Sequence, residues 1–369
     1  MLNWIKSLCD NEIMPPFEVD KDIDYYDDLR KKLTHFIKRL EEIDADERSV
    51  KIAQKYSNKI CESLRDYYKG KISSCHQKVD NLIKDCENHE FAVTNLKESW
   101  AFPGDKNSEI QFFRARTSND AQTMTPKDML HLPFGLRGKS GNYRFSIPGV
   151  ISLYLANTSY GCWIEMNKPA EHDFYVAPVI LDGQQRIFNL AVSAGMWEEL
   201  NDRTEDYVHC WIKLLVLMIA TSYRVKETGR TFKSEYIISQ SIMMACKKRK
   251  YDGVVYFSKR IQDERFALCA INLALFANYE KGKDYGEICN HIKVDEPLNY
   301  QFFKQLSPSA TFEKYKLRVR SIPYISNIGS FKRNYRYNET EFYQFDEHLF
   351  GRWTDKNECE WGNALVNNQ

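Results

Sequence analysis

Apolar residues recur at three- and four-residue steps from residue 21 to about 90, and that period allows helices but not a sheet in the opening part of the chain. Leu29, Leu33, Phe36, Ile37, Leu40 and Ile43 mark one stripe, Ile52, Tyr56, Ile60 and Leu64 a second, and Val79, Leu82, Ile83 and Cys86 a third. A helix with one apolar stripe must bury it against a neighbour, so three in succession predict a small all-α antiparallel bundle with charged residues on the outer faces.

The pattern changes near residue 100, where AFPGDKNSE supplies Pro103 and Gly104 as turn signals. Beyond it IQFFRAR (110–116), GVISLYLA (149–156), FYVAPVIL (174–181), GVVYFS (253–258) and FALCAINLALF (266–276) read as strands, because β-branched and aromatic residues dominate them. Helical patterns fall between them at 158–166, 187–200, 207–222 and 236–249. The expectation is an α+β region of mixed short strands and helices behind an all-α bundle. Its division is 1–100 for the bundle, 101–289 for the mixed domain and 290–369 for a C-terminal extension. The aromatic punctuation of that extension, as in YRYNETEFYQFDEHLFGRW, predicts that it packs on the mixed domain.

The 369 residues are enough for two domains or for one with large extensions. A hydrophobic fraction of 43% with 28% charged residues marks a folded chain and excludes extended disorder. Lys plus Arg (52) nearly cancels Asp plus Glu (51), so no global field draws the protein to nucleic acid or to an anionic membrane. Any anion it binds must meet a local cluster. WIKLLVLMIATSY (211–223) is too short for a membrane span and carries Lys213, and the N-terminus lacks a signal-peptide core, so a soluble cytoplasmic protein is expected. Ten scattered cysteines in such a compartment predict reduced thiols. Cys86-Glu-Asn-His89 has a partial zinc spacing, but no second tidy pair completes four ligands, and no metal site is predicted.

GNYRFSIPGVISLYLANTSYGCWIEM (141–166) concentrates the chemistry. Strand alternation puts Ser152 and Tyr154 on one face and Ile151, Leu153 and Leu155 on the other. Asn157 or Thr158 then offers an N-cap, so a helix begins whose second turn delivers Glu165. Ile147-Pro148-Gly149 turns the chain and leaves Arg144 at the end of an extended segment. An arginine, a tyrosine and a glutamate can thus converge on one pocket.

FFRAR (112–116), YRFSIPG (143–149), LYLANTS (153–159), IEM (164–166), EYIISQSIM (235–243) and YDGVVYFS (251–258) occur in an order that resembles the RES-domain family, named for its arginine, glutamate and serine. The resemblance covers roughly residues 108 to 280. It implies an ADP-ribosyltransferase-like fold and an NAD+-consuming activity of the kind found in toxins of bacterial toxin–antitoxin pairs, which hydrolyse or phosphorolyse NAD+. By position Arg114 and Arg144 match the family's two arginines, Tyr154 its tyrosine, Glu165 its acid and Ser258 its serine. The interval from Glu165 to Ser258 is wider than in the small toxins, which implies an insertion within 182–230. The bundle and the tail are additions.

Residue chemistry agrees with that assignment. A planar guanidinium recognises phosphate oxygens bidentately, so Arg114 and Arg144 suit the pyrophosphate of NAD+. Arg116 shares the face of Arg114 on its strand and competes for the same role. Cleavage of the nicotinamide–ribose bond passes through an oxocarbenium-like state that a carboxylate stabilises, the task assigned to Glu165. Tyr154 can stack on nicotinamide or ribose, and Ser258 can hydrogen-bond a phosphate or ribose oxygen. Cationic nicotinamide leaves readily, so the chemistry does not require a metal. NAD+ enters as substrate, phosphate is an alternative nucleophile to water, and the resemblance leaves room for an antitoxin or other regulatory protein and for a homo-oligomer. An ADP-ribosyltransferase acting on a protein or small molecule, and a noncatalytic binding module, are the alternatives.

Two short strings point elsewhere. LDGQQRIFNL (181–190) echoes the DGQQR string of ParB-like nucleases, and its plain reading is a polar turn before a helix. Arg30-Lys-Lys-Leu-Thr-His35 has the Arg-x4-His spacing of HEPN-type ribonucleases, and on a lysine-rich helix its plain reading is a solvated face.

Overall fold

The computed structural model describes residues 4, 8, 15–20, 22–102, 109–118, 124–192, 204–225, 229–261, 270–306, 328–330, 333–335, 337–354 and 360–366. Asp24 caps α1 (Tyr25–Glu42), its carboxylate accepting from the Asp27 amide at 2.9 Å. Asp46 does the same for α2 (Glu47–Tyr68) through the Ser49 amide at 2.8 Å, and α3 (Ile72–Lys84) follows. In chain order come β1 (Val93–Asn95), β2 (Ile110–Thr117), β3 (Ser152–Ala156), α4 (Ser159–Glu165), β4 (Phe174–Leu181) and β5 (Arg186–Asn189). Then follow α5 (Glu205–Thr221), α6 (Ile237–Lys248), β6 (Gly253–Phe257), β7 (Ile271–Phe276), β8 (Ile292–Val294), β9 (Leu298–Asn299) and α7 (Tyr300–Leu306). The chain ends with β10 (Ile328–Ser330), β11 (Arg333–Tyr335), α8 (Glu341–Thr354) and α9 (Asn363–Val366). This is an α+β chain.

It divides into two compact units, each assembled from non-contiguous segments: 1–94 with 141–147 and 186–264, and 95–140 with 148–185 and 265–369. The division 1–100, 101–289 and 290–369 is a partition by chain order, whereas these units are a partition by contact.

In the first unit α2 packs on α1, α3 and α5, and α3 also packs on α6. Leu29, Leu33, Phe36 and Leu40 of α1 are buried, as are Tyr56, Ile60 and Leu64 of α2 and Val79 and Ile83 of α3, the stripes that the periodicity marks out. The bundle is larger than those stripes, because α5 and α6 join it from later in the chain. Residues Val208 to Ala220 of α5 are buried apart from Lys213, so its apolar character serves a core helix wrapped on all sides. Tyr25 ties α1 to it, its hydroxyl donating to the Ala220 carbonyl at 2.6 Å. Among the described residues no helix is long and apolar enough to cross a membrane. β5 and β6 pair in parallel, with Ile187 opposite Gly253.

The second unit is an antiparallel sheet in the order β7-β3-β2-β4-β8, with β9 also on β4. β2 pairs with β4 along its whole length, from Ile110 opposite Leu181 to Thr117 opposite Phe174. Phe113, Ala115, Phe174 and Val176 form one core with Tyr300 and Phe303 of α7 and Phe345, Leu349, Phe350 and Trp353 of α8. Tyr300 stacks on Phe342 at 4.9 Å between ring centroids, and Phe113 meets Phe350 edge-on at 5.1 Å. Each such ring, fully buried, contributes about 1.5–3 kcal/mol, so the aromatic residues of the tail are structural.

Several expectations change. Residues 187–200 are not a helix from their start: Arg186–Asn189 is β5, and 193–200 lie outside the described residues. A short apolar run carries no period that separates strand from helix, and pairing with β6 decides. DGQQR is a turn, as read, but it joins β4 to a strand instead of a helix. Asp182 Oδ1 accepts from the Gln184 amide at 3.1 Å and from Gln185 Nε2 at 2.6 Å. Gly183 has φ +76°, and a Cβ there would stand 2.7 Å from the Lys97 Cβ. The strand expected over 149–156 starts at Ser152 after Gly149 at φ +83°. That expected over 266–276 starts at Ile271, with 266–269 outside the described residues, as are Pro103 and Gly104. Cys9, Cys269 and Cys359 are likewise outside, and the other seven cysteines are buried thiols.

Candidate functional site

In the second unit β2 and β3 run antiparallel, with Phe113 opposite Ala156. Arg114, half-buried on β2, donates from Nη1 to the Tyr154 carbonyl at 2.8 Å. The two assigned residues therefore meet through the backbone carbonyl of Tyr154. Arg116, the competing arginine, turns to a different partner and donates from Nη2 to the Leu130 carbonyl at 3.0 Å. Leu153 and Leu155 are buried while Ser152 and Tyr154 are half-exposed, the alternation that the sequence predicts.

Thr158 caps α4, its Oγ1 accepting from the Gly161 amide at 2.8 Å, and Glu165 closes the helix two turns later. Glu165 Oε1 accepts from Asn272 Nδ2 at 2.7 Å. Asn272 lies on β7 opposite Ala156, so the β3–β7 ladder that carries Tyr154 also carries the amide that orients the acid. Cys162, one turn before Glu165, donates its thiol to the Phe113 carbonyl at 3.4 Å, and burial pushes that thiol well above the ordinary range. The contact ties α4 to β2.

In the first unit Arg144 sits in a tight turn closed by reciprocal backbone bonds between Tyr143 and Ser146. Only 6% of it is exposed. Nη1 donates to the Phe257 carbonyl at 2.8 Å, and Nη2 to Ser222 Oγ at 3.1 Å and Thr221 Oγ1 at 3.3 Å. The guanidinium also lies 4.7 Å from the Tyr256 ring centroid. Gln240 of α6 pins the turn, its Nε2 donating to Asn142 Oδ1 at 2.6 Å and to the carbonyls of Tyr143 and Ser146 at 3.1 Å. Ser258 is fully buried where β6 ends, and its Oγ accepts from the Arg260 amide at 3.1 Å. Lys259 beside it holds its ammonium 4.1 Å from the Tyr236 ring centroid. The β6 terminus thus brings Arg144 and Ser258 together, because the carbonyl that Arg144 grips belongs to the residue before Ser258.

The five residues assigned from sequence therefore fall as Arg114, Tyr154 and Glu165 in one unit and Arg144 and Ser258 in the other. Sequence reasoning passed over their partners. Gln240 stands inside EYIISQSIM without a role, and Asn272 is an amide inside an otherwise apolar strand, a signal that something polar must meet it. Thr221 and Ser222 end an apolar helix and carry no pattern of their own.

No family model matches the chain. The protein named Putative toxin YopC of Bacillus subtilis (strain 168) is 26% identical over 292 residues, which are 73% of this chain and 62% of that protein. The match thus spans less than two thirds of the relative's length. A chain in the crystal structure of the M. tuberculosis MbcT-MbcA toxin-antitoxin complex aligns over 62% of this chain and 97% of its own, at 11% identity and a TM-score of 0.31, which is below what a common fold requires. A protein named as a toxin is therefore similar to most of this chain, in line with the RES-like toxin resemblance that the chain's own motifs carry.

Proposed function

We propose that this protein is an NAD+-consuming enzyme that cleaves the bond between nicotinamide and ribose, and that it acts as a toxin or defence effector by depleting NAD+. The observation that carries the reading is the seating of Glu165. A carboxylate at the end of α4 is oriented by Asn272 on β7, while a guanidinium grips the neighbouring strand β3 through the Tyr154 carbonyl. The similarity to a protein named as a toxin supports the biological role.

In this mechanism nicotinamide departs as a neutral leaving group, and the positive charge it leaves on the ribose is stabilised by Glu165. The same carboxylate orients the attacking water or phosphate at C1′, and Asn272 keeps it aimed. Within the second unit Arg114 binds the phosphates and Tyr154 contacts the leaving end. An antitoxin or regulatory protein silences the enzyme where it is made.

Purified protein incubated with NAD+, with and without phosphate, is expected to release nicotinamide, with ADP-ribose or its 1″-phosphate as the second product by chromatography. Label transferred to a protein instead marks a transferase. No release under any condition removes the reading.

A further inference from the structure

We propose that Asp346 of the C-terminal helix is a positioning residue for the candidate acid, holding the first turn of α4 so that Glu165 at its far end stays aimed. The inference rests on the assignment of Glu165 made above.

Asp346 is completely buried in α8. Its Oδ1 accepts from the Ser159 amide at 3.2 Å, and its Oδ2 accepts from the Tyr337 hydroxyl at 2.6 Å. Ser159 is the first residue of α4, whose leading amides have no partner within the helix. Thr158 satisfies the Gly161 amide and Asp346 the Ser159 amide, so the helix start is held by its own cap and by a residue 187 positions later in the chain. The preceding residue is fixed as well: Asn157 donates its amide to the Ile271 carbonyl at 2.9 Å, and its Oδ1 accepts from the Ile271 amide at 3.0 Å.

The need for an external hold follows from length. Seven residues make two turns, too few for a helix to persist on its own, so the direction of α4 is set by what grips its ends. One grip is Asp346 at Ser159, and the other is Asn272 at Glu165. A buried carboxylate is costly, and an apolar residue of similar size would be cheaper for packing the tail alone. The carboxylate is shared between the tail's own Tyr337 hydroxyl and the start of α4, and so couples the two.

The test compares the full-length wild type with Asp346→Asn, Asp346→Leu and Ser159→Pro by amide hydrogen exchange over residues 157–167 and by nicotinamide release. Asp346→Asn keeps an oxygen for the Ser159 amide, so exchange and turnover are expected within about twofold of wild type. Asp346→Leu removes the acceptor, and Ser159→Pro removes the donor at a helix position that tolerates proline. Each is expected to speed exchange across α4 and to slow turnover by about tenfold, the scale of one bond to a buried carboxyl group, with exchange in β2 and β4 unchanged. Wild-type exchange across α4 in both disrupted variants overturns the proposal. So does damage in Asp346→Asn equal to that in Asp346→Leu, or loosening of β2 and β4 together with α4, which marks a residue of general packing. If the wild type releases no nicotinamide, the functional reading fails, while the exchange pattern still decides whether Asp346 positions Glu165.

Discussion

The two units solve the same packing problem with different materials. The first is built on helices of 12 to 22 residues whose aliphatic stripes interlock, each element long enough to declare its own period. The second relies on strands of two to eight residues and a seven-residue helix, closed by the aromatic side chains of α7 and α8. Long elements tolerate the loss of one contact better than short ones, because each residue of a long helix is supported by its own ladder. The assigned acid belongs to the second kind of structure, in which aim depends on neighbours distant in the chain.

The largest expected effect separates the two cores. Phe345→Ala, in the aromatic cluster of the second unit, should cost about 3–5 kcal/mol in urea unfolding, and Leu33→Ala in the first about 2–4 kcal/mol. Phe345 and Leu33 are both fully buried, so equal losses would erase the distinction between aromatic closure and aliphatic stripe.

Next in size is the chemistry. Glu165→Ala should lower nicotinamide release by about two to three orders of magnitude with thermal unfolding unchanged, as expected for a group that acts on developing charge. Release equal to that of wild type would show that the acid has been assigned to the wrong side chain.

A pH measurement sharpens the role of the tail. Burial pushes the Asp346 carboxyl from 3.8 up to about 7, partly offset by its bonds from Ser159 and Tyr337, and Tyr300, Tyr343 and Glu347 are the other titratable groups of the tail that couple to it. An acid whose folded value is raised holds its proton more tightly in the folded state. Stability contributed by this group is therefore fully present below about pH 4 and is lost as pH rises to about 7, by up to about 1 kcal/mol per pH unit. Asp346→Asn should flatten that slope in urea unfolding between those limits, and an unchanged slope would place its origin elsewhere.

The smallest effect is local. Thr158→Ala should cost about 1 kcal/mol, the usual worth of an N-cap, and should loosen α4 in hydrogen exchange without changing α1.

Much of this architecture is legible in order and composition. The three bundle helices follow from apolar spacing, and β2 and β4 follow from runs of aromatic and β-branched residues bounded by turns. β5 was not legible, since Ile187 and Phe188 suit a helix as well as a strand and only the parallel pairing with β6 selects one. The entry of α5 and α6 into the bundle was hidden too, because a helical period says which face is apolar and nothing about which neighbour covers it. At the candidate site the residue types could be read, but not their partners. Asn272 lies 107 residues from Glu165, and no local pattern links an amide in one strand to an acid on another element.

What the amino-acid order determined by itself is the type of the longer segments, such as α1, α2, β2 and β4, which of their faces are apolar, and where arginine, tyrosine, glutamate and serine stand along the chain. Period and propensity act over a few residues, within reach of a linear reading. Only the tertiary structure decided that Arg114 grips the Tyr154 carbonyl, that Arg144 is enclosed by Phe257, Thr221 and Ser222, and that Asp346 and Asn272 hold the two ends of α4. Those bonds join groups brought near by the burial of apolar surface, which is non-directional and leaves the choice of polar partners to the packed geometry.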